Sequence, residues 1–114
     1  MLEIVALGIS AAVEAPVAAL IVYAARWPCR GALHVGLAAA VATAATHPQL
    51  WEAVNWATPR FGYWPSVTVL EALVVVAEAL LILWMAKLAL HRALTVSLIA
   101  NISSCAVGLL ILRA

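Results

Sequence analysis

The chain has 114 residues, of which 68% are hydrophobic and 10% are charged, and its mean hydropathy is +1.13. This composition lies far outside the range of soluble globular domains and predicts an integral membrane protein. The formal net charge of +1 gives no basic surface for nucleic acid, so the lipid bilayer is the expected partner. The length suits a single domain, residues 1–114, with about four spans of roughly 20 residues each.

Turn residues and charges separate four apolar runs, which predict four transmembrane helices. The predicted helices cover about residues 4–25, 32–50, 66–86 and 93–112. The first begins without a basic leader, which favours a retained span over a cleaved signal peptide. The second ends where "THP" brings in Pro48. Because spans must satisfy their own backbone groups, the predicted fold is all-α, an antiparallel four-helix bundle.

Basic residues in the connections predict the orientation in the membrane. Arg26 and Arg30 follow the first helix, whereas Lys87 and Arg92 follow the third. In an even-numbered bundle these two connections share a side. The positive-inside bias then places the basic connections in the cytoplasm and both chain termini on the outer side of the membrane.

The segment "WEAVNWATPRFGYWP", residues 51–65, follows the second helix and has three Trp and one Tyr. Such residues favour the interface between membrane and water. We therefore expect an anchoring belt that lies along the outer interface, with a lid over a substrate as the alternative.

Counting 1.5 Å per residue from the helix ends gives the polar residues of the spans two depths. Glu14, Glu78 and Asn101 fall near the midplane, while His47 and Glu71 fall nearer the outer surface. Residues seven apart return to one helix face, so Glu71 and Glu78 form a single stripe that we expect to face the bundle interior.

A second polar stripe runs along the fourth helix. Ser97, Asn101 and Ser104 recur at i, i+4 and i+7, a spacing that lets them hydrogen-bond across to the third helix. Such residues serve either as interhelical contacts or as supporting groups of a site.

Three carboxylates within the spans, without a Lys or Arg at comparable depth, need compensation because a buried charge in the membrane is costly. Three readings stay open: protonated acids that only pack, a functional proton or cation site, and pairing with a basic residue of another subunit. The candidate site comprises Glu14, Glu71, Glu78, Asn101 and His47.

Other local features leave the chemistry open. Pro16 kinks the first helix or frees a carbonyl that is a cation ligand beside Glu14. His47 serves as a proton shuttle, a metal ligand or a hydrogen-bonding group. Cys29 and Cys105 lack ligand spacing and are interpreted as structural thiols. Because no catalytic motif or facing haem ligands occur, we expect no cofactor, and an enzyme is the less favoured class.

The patterns "EALVVVAE", residues 71–78, and "SLIANISS", residues 97–104, resemble those of small, functionally uncharacterised four-helix bacterial membrane proteins. These proteins carry E-x-x-V-x-x-x-E in the third helix and S-x-x-x-N-x-x-S in the fourth. The resemblance implies the same four-helix fold in a bacterial inner, or cytoplasmic, membrane, and it supplies no activity to carry over. Residue 43, where that family suggests Asn, is Thr here.

The small multidrug resistance transporters are similar in size and helix number. Their membrane-embedded Glu in the first helix corresponds by position to Glu14. Neither their first-helix pattern nor the glycine-rich stretch of their third helix is found here, so the likeness is one of architecture.

The function expected from the sequence is a proton or cation site, as in a transporter, with an accessory subunit or assembly factor as the alternative. A four-helix chain is expected to form a homodimer or to join a larger membrane complex. The small residues Gly36, Ala40 and Ala44 on the second helix are the expected close-packing face.

Overall fold

The structure is a computed structural model that describes the backbone of residues 2–113 and the side chains of residues 4–108, 110 and 111. It has four helices, α1 (Leu2–Ala25), α2 (Ala32–Phe61), α3 (Tyr63–Ala86) and α4 (Leu90–Arg113). No strand occurs in residues 2–113. The all-α prediction is therefore confirmed.

The four helices form a ring in which each packs against two others. Helix α1 contacts α2 and α4, and α3 contacts the same two helices. The Arg30 amide donates to the Ala86 carbonyl oxygen at 2.9 Å, so the α1–α2 and α3–α4 connections lie at one end of the bundle, here called the loop end. The start of α1, Gly62 and the end of α4 lie at the opposite end, here called the terminal end.

Three of the helices are long and apolar enough to cross a membrane, namely α1 over Ile4–Ala25, α3 over Tyr63–Ala86 and α4 over Leu90–Gly108. Large apolar side chains point outward from this bundle, including Leu80 and Ile102, which are exposed. In water such a surface would be unfavourable, whereas lipid solvates it. The structure therefore supports membrane association.

Helix α2 is longer than the sequence analysis predicts. We expected it to end near residue 50 at "THP", but it continues through Pro48 and Pro59 to Phe61. A proline removes one backbone donor and can bend a helix without ending it, and the residues after Pro48 include several good helix formers. The predicted belt segment is therefore mostly helical. The helix ends at Gly62, whose φ of 89° suits glycine and disfavours other residues.

Tight packing between α1 and α2 depends on Gly36. A Cβ atom at this position would lie 3.0 Å from the Ala15 carbonyl oxygen and 3.3 Å from the Ala19 Cβ. The face predicted for contact with another subunit is therefore divided, since Gly36 is buried against α1 while Ala44 is exposed. The correction follows from the ring arrangement, in which α2 needs its small residues for its own neighbour.

The loop half of the bundle has a continuous core of small and branched apolar side chains. The buried members of this loop core are Ala18, Val22, Val35, Ala38, Ala39, Ala79, Ile82, Ala86, Leu88, Ala93 and Val96. They come from all four helices and, for Leu88, from the α3–α4 connection. The polar residues of the candidate site lie beyond this core, toward the terminal end.

Candidate functional site

Glu78 lies at the centre of the candidate site and is only 2% exposed. Its Oε1 accepts a hydrogen bond from the Thr46 hydroxyl at 3.1 Å, and its Oε2 accepts one from Asn101 Nδ2 at 2.8 Å. The Asn101 amide also donates to the Ser97 carbonyl oxygen at 2.8 Å. Groups from α2 and α4 thus hold the Glu78 carboxyl in place from two sides.

The Thr46 hydroxyl has two acceptors within reach, although it has one hydrogen. It lies 2.9 Å from the Ala42 carbonyl oxygen and 3.1 Å from Glu78 Oε1. When Glu78 is ionised, the hydroxyl can donate to the carboxylate. When Glu78 is protonated, the hydroxyl can accept from the acid and donate to Ala42. The site therefore accommodates both protonation states of Glu78.

Glu14 of α1 lies beside Glu78 and the Thr43 hydroxyl. It is also 2% exposed. Its Oε1 atom and the Thr43 hydroxyl are buried and have no hydrogen-bond partner among the residues that the structure describes. Because an unpaired buried polar group is costly, Glu14 Oε1 is the acceptor of the pair that can still take a donor.

Glu71 lies two turns from Glu78 on the same face of α3, as the sequence predicts. It is half-buried and lies close to the thiol of Cys105 on α4. Glu71 therefore extends the acidic surface of the Glu14–Glu78 pair toward the terminal end.

A cavity of about 440 Å³ connects these acids with the terminal end. Its deep part is lined by Glu14, Glu78 and Asn101, and its outer part by residues of all four helices, from Val5 to Gly108. We call it the terminal cavity. None of its lining residues is Lys or Arg, and the three carboxyls have no ion-pair partner within the described part of the chain.

His47 also lines the terminal cavity, and its ring centroid is 6.4 Å from that of Trp51. The structure therefore brings all five candidate residues, Glu14, Glu71, Glu78, Asn101 and His47, to one cavity. In the residues described, no group of three or more His, Cys, Asp or Glu is arranged to hold a metal ion.

The two supporting serines differ in what they contact. The Ser97 hydroxyl donates to the Val75 carbonyl oxygen of α3 at 2.7 Å, which is the cross-helix contact expected of the second polar stripe. The Ser104 hydroxyl donates to the Asn101 carbonyl oxygen at 3.0 Å within α4 and lines the cavity. Ser97 therefore joins two helices, while Ser104 makes a local contact.

Sequence reasoning missed three residues of this site. Thr46 was interpreted only as part of a helix-breaking motif, Cys105 as a structural thiol, and Trp51 as part of an interfacial belt. On α2, Thr46 lies one turn after Ala42 and Trp51 lies one turn after His47. On α4, Cys105 lies one turn after Asn101. The i, i+4 spacing from His47 and from Asn101 was the signal that could have found Trp51 and Cys105.

The chain was compared with known proteins. No protein-family model, no curated protein and no solved structure is detectably similar to it.

Proposed function

We propose that the chain is a four-span protein of a bacterial cytoplasmic membrane, with both termini outside. Helix α2 is the proposed fourth span because it packs along both α1 and α3 in the ring. A bilayer that surrounds those two spans would also surround α2. The basic residues at the loop end support the orientation through the positive-inside bias.

We further propose that Glu14 and Glu78 form a proton or cation site of a small transporter. The observation that carries this proposal is the buried Glu14 Oε1, which lacks a partner beside a second carboxyl at the base of an open cavity. Ionised carboxyls inside a membrane bundle need positive compensation. The terminal cavity offers a route by which a proton or cation can reach them.

The two acids have different roles in this mechanism. Both Glu78 oxygens already accept hydrogen bonds, so the Glu78 carboxyl is held in one position. The Thr46 hydroxyl can donate to this carboxyl when it is ionised and accept from it when it is protonated. Glu14 has a free acceptor and receives the incoming proton or cation. Glu71 and His47 line the route, where the Glu71 carboxylate raises the local concentration of cations.

The competing function is an accessory subunit or assembly factor whose acids pair with a partner protein. Glu14 and Glu78 are each 2% exposed, so a partner's side chain reaches them only through the cavity. For this reason transport is the preferred proposal.

The test is proton flux into proteoliposomes that contain the full chain and a trapped pH indicator. Wild type should conduct more than empty vesicles, and Glu14→Gln and Glu78→Gln should each abolish the excess. Glu52→Gln is the matched control because Glu52 is an exposed acid of α2 outside the cavity lining, and it should retain the flux.

Equal flux in wild type and Glu78→Gln, or no flux in any correctly inserted sample, would overturn the transport proposal. Gentle purification gives an independent measurement, since a homodimer is compatible with transport. A stoichiometric larger complex that Glu78→Gln disrupts would instead support the accessory subunit.

A further inference from the structure

We propose that the terminal cavity binds a protonated amine that has at least one N–H donor and an apolar or aromatic substituent. This inference rests on the proposed function, since it names the cation for which Glu14 and Glu78 form a site. The proposal is carried by the unpaired acceptor at the base of the cavity, by the apolar walls and by the charges of the lining residues.

The base of the cavity suits a ligand that donates a hydrogen bond. Glu78 has donors on both oxygens, from Thr46 and Asn101. Glu14 Oε1 is buried without one, and Glu14 lines the cavity. An ammonium group brings three N–H donors and one positive charge. A quaternary ammonium ion brings the charge but leaves Glu14 Oε1 unpaired, so the geometry favours a protonated amine with at least one N–H over a quaternary ion.

The walls of the cavity require an apolar substituent. Val5, Ile9 and Val54 line it together with the aromatic rings of Trp51 and Trp64. Its volume of about 440 Å³ falls within the roughly 300–1,000 Å³ typical of small-molecule pockets. A bare inorganic ion would leave these walls without contacts, whereas an aryl or alkyl group would pack against them.

The charges of the lining residues favour a cation over a neutral or anionic ligand. The lining includes three carboxyl groups, those of Glu14, Glu71 and Glu78, and no Lys or Arg. A carboxylate ligand would add a like charge to this group, and a neutral alcohol would leave the acids uncompensated.

The experiment is calorimetric titration of the full chain in detergent with three matched compounds. They are 4-phenylbutylammonium, its N,N,N-trimethyl analogue and 4-phenylbutanol. The primary ammonium ion should bind, the trimethyl analogue should bind about tenfold more weakly because one buried acceptor stays unpaired, and the alcohol should show no measurable binding.

Two variants assign the binding to this cavity. Glu14→Gln should abolish binding of 4-phenylbutylammonium, whereas Glu52→Gln should retain it. Val54→Phe fills part of the cavity while leaving the carboxyls intact, so it should weaken the binding of 4-phenylbutylammonium much more than that of methylammonium. Circular dichroism and gel filtration would identify any variant that fails to fold, in which case Val54→Phe still tests the proposal.

Equal binding of the three compounds, or an unchanged affinity in Val54→Phe, would overturn the inference. The proton-flux assay separates its failure from that of the proposed function. If flux depends on Glu14 and Glu78 but 4-phenylbutylammonium does not bind, the site is a proton site and only the ligand class is wrong. If neither flux nor binding occurs, both proposals fail.

Discussion

In the loop half of the bundle, the helices meet through alanine, glycine and branched apolar side chains, and Gly36 allows α1 and α2 to approach closely. In the terminal half, the same helices surround a cavity of about 440 Å³ with acids at its base and aromatic rings along its walls. The ring of neighbours is the same in both halves, so the difference lies in side-chain size and polarity.

This comparison separates the residues that hold the bundle together from those that make its site. Close packing of small side chains gives the loop core its stabilising contacts. The terminal half retains a cavity and a buried unpaired oxygen on Glu14, and both features reduce stability. Substitutions in the loop half should therefore act mainly on folding, and those in the terminal half mainly on binding and flux.

The largest expected effect is that of Gly36→Ile in the loop half. The new side chain would meet the Ala15 carbonyl oxygen and the Ala19 Cβ, atoms that move only if α1 shifts. We expect a loss of about 3 kcal/mol in the free energy of unfolding, as for severe overpacking. Denaturant titration in detergent micelles, monitored by helicity, measures this loss.

Gly8→Ile is the matched control, because a Cβ atom at Gly8 has nothing within 4 Å among the described residues. Its stability should stay close to that of wild type. A similar loss in both variants would show that helix propensity rather than the close approach of α1 and α2 determines the result.

A smaller effect is expected for Asn101→Ala in the terminal half. This change removes the donor to Glu78 Oε2, and we expect a loss of about 2 kcal/mol, the cost of an unpaired buried acceptor. Ser104→Ala is the control, since the Ser104 hydroxyl donates within its own helix. The same unfolding titration compares the two.

A double-mutant cycle makes this prediction more specific. In the background of Glu78→Met no carboxyl is left to satisfy, so Asn101→Ala should cost clearly less than in wild type. If its cost is unchanged, the contribution of Asn101 lies in its bond to the Ser97 carbonyl oxygen and not in the acid.

The helical fold and the grouping of the acids could be predicted because each depends on local rules. Hydropathy gives the helices, and the rise per residue gives the relative depths of Glu14, Glu71 and Glu78. Glu14 and Glu78 meet at one cavity because a ring of antiparallel helices brings residues of equal depth together. Glu71 joins them because it lies on the same face of α3 as Glu78. The sequence also indicated the cross-helix contact of Ser97, since its stripe had to face a neighbour.

The end of α2, the position of Trp51 and the packing partner of Gly36 could not be predicted from residue spacing alone. Whether Pro48 ends α2 depends on the residues and packing on both sides of it, so α2 was predicted too short. With α2 ended at residue 50, Trp51 was assigned to a belt and not to a cavity wall. The surface that packs against Gly36 depends on which helix faces it. The apolar pattern of the sequence is compatible either with α1 or with another subunit in that position.

The smallest expected effect comes from the loop end, at the residue that follows α3. Lys87 caps α3 in the left-handed conformation, with φ 56° and ψ 40°, where a Cβ atom is unfavourable. Lys87→Gly should therefore raise the free energy of unfolding by about 1 kcal/mol. Lys87→Ala removes the charge but keeps the Cβ atom, so it should give no such gain.

Because Lys87 is far from the terminal cavity, the stabilised variant should keep the wild-type proton flux in proteoliposomes. A change in flux would show that the geometry of the loop half determines the activity of the site, and that the two halves are coupled.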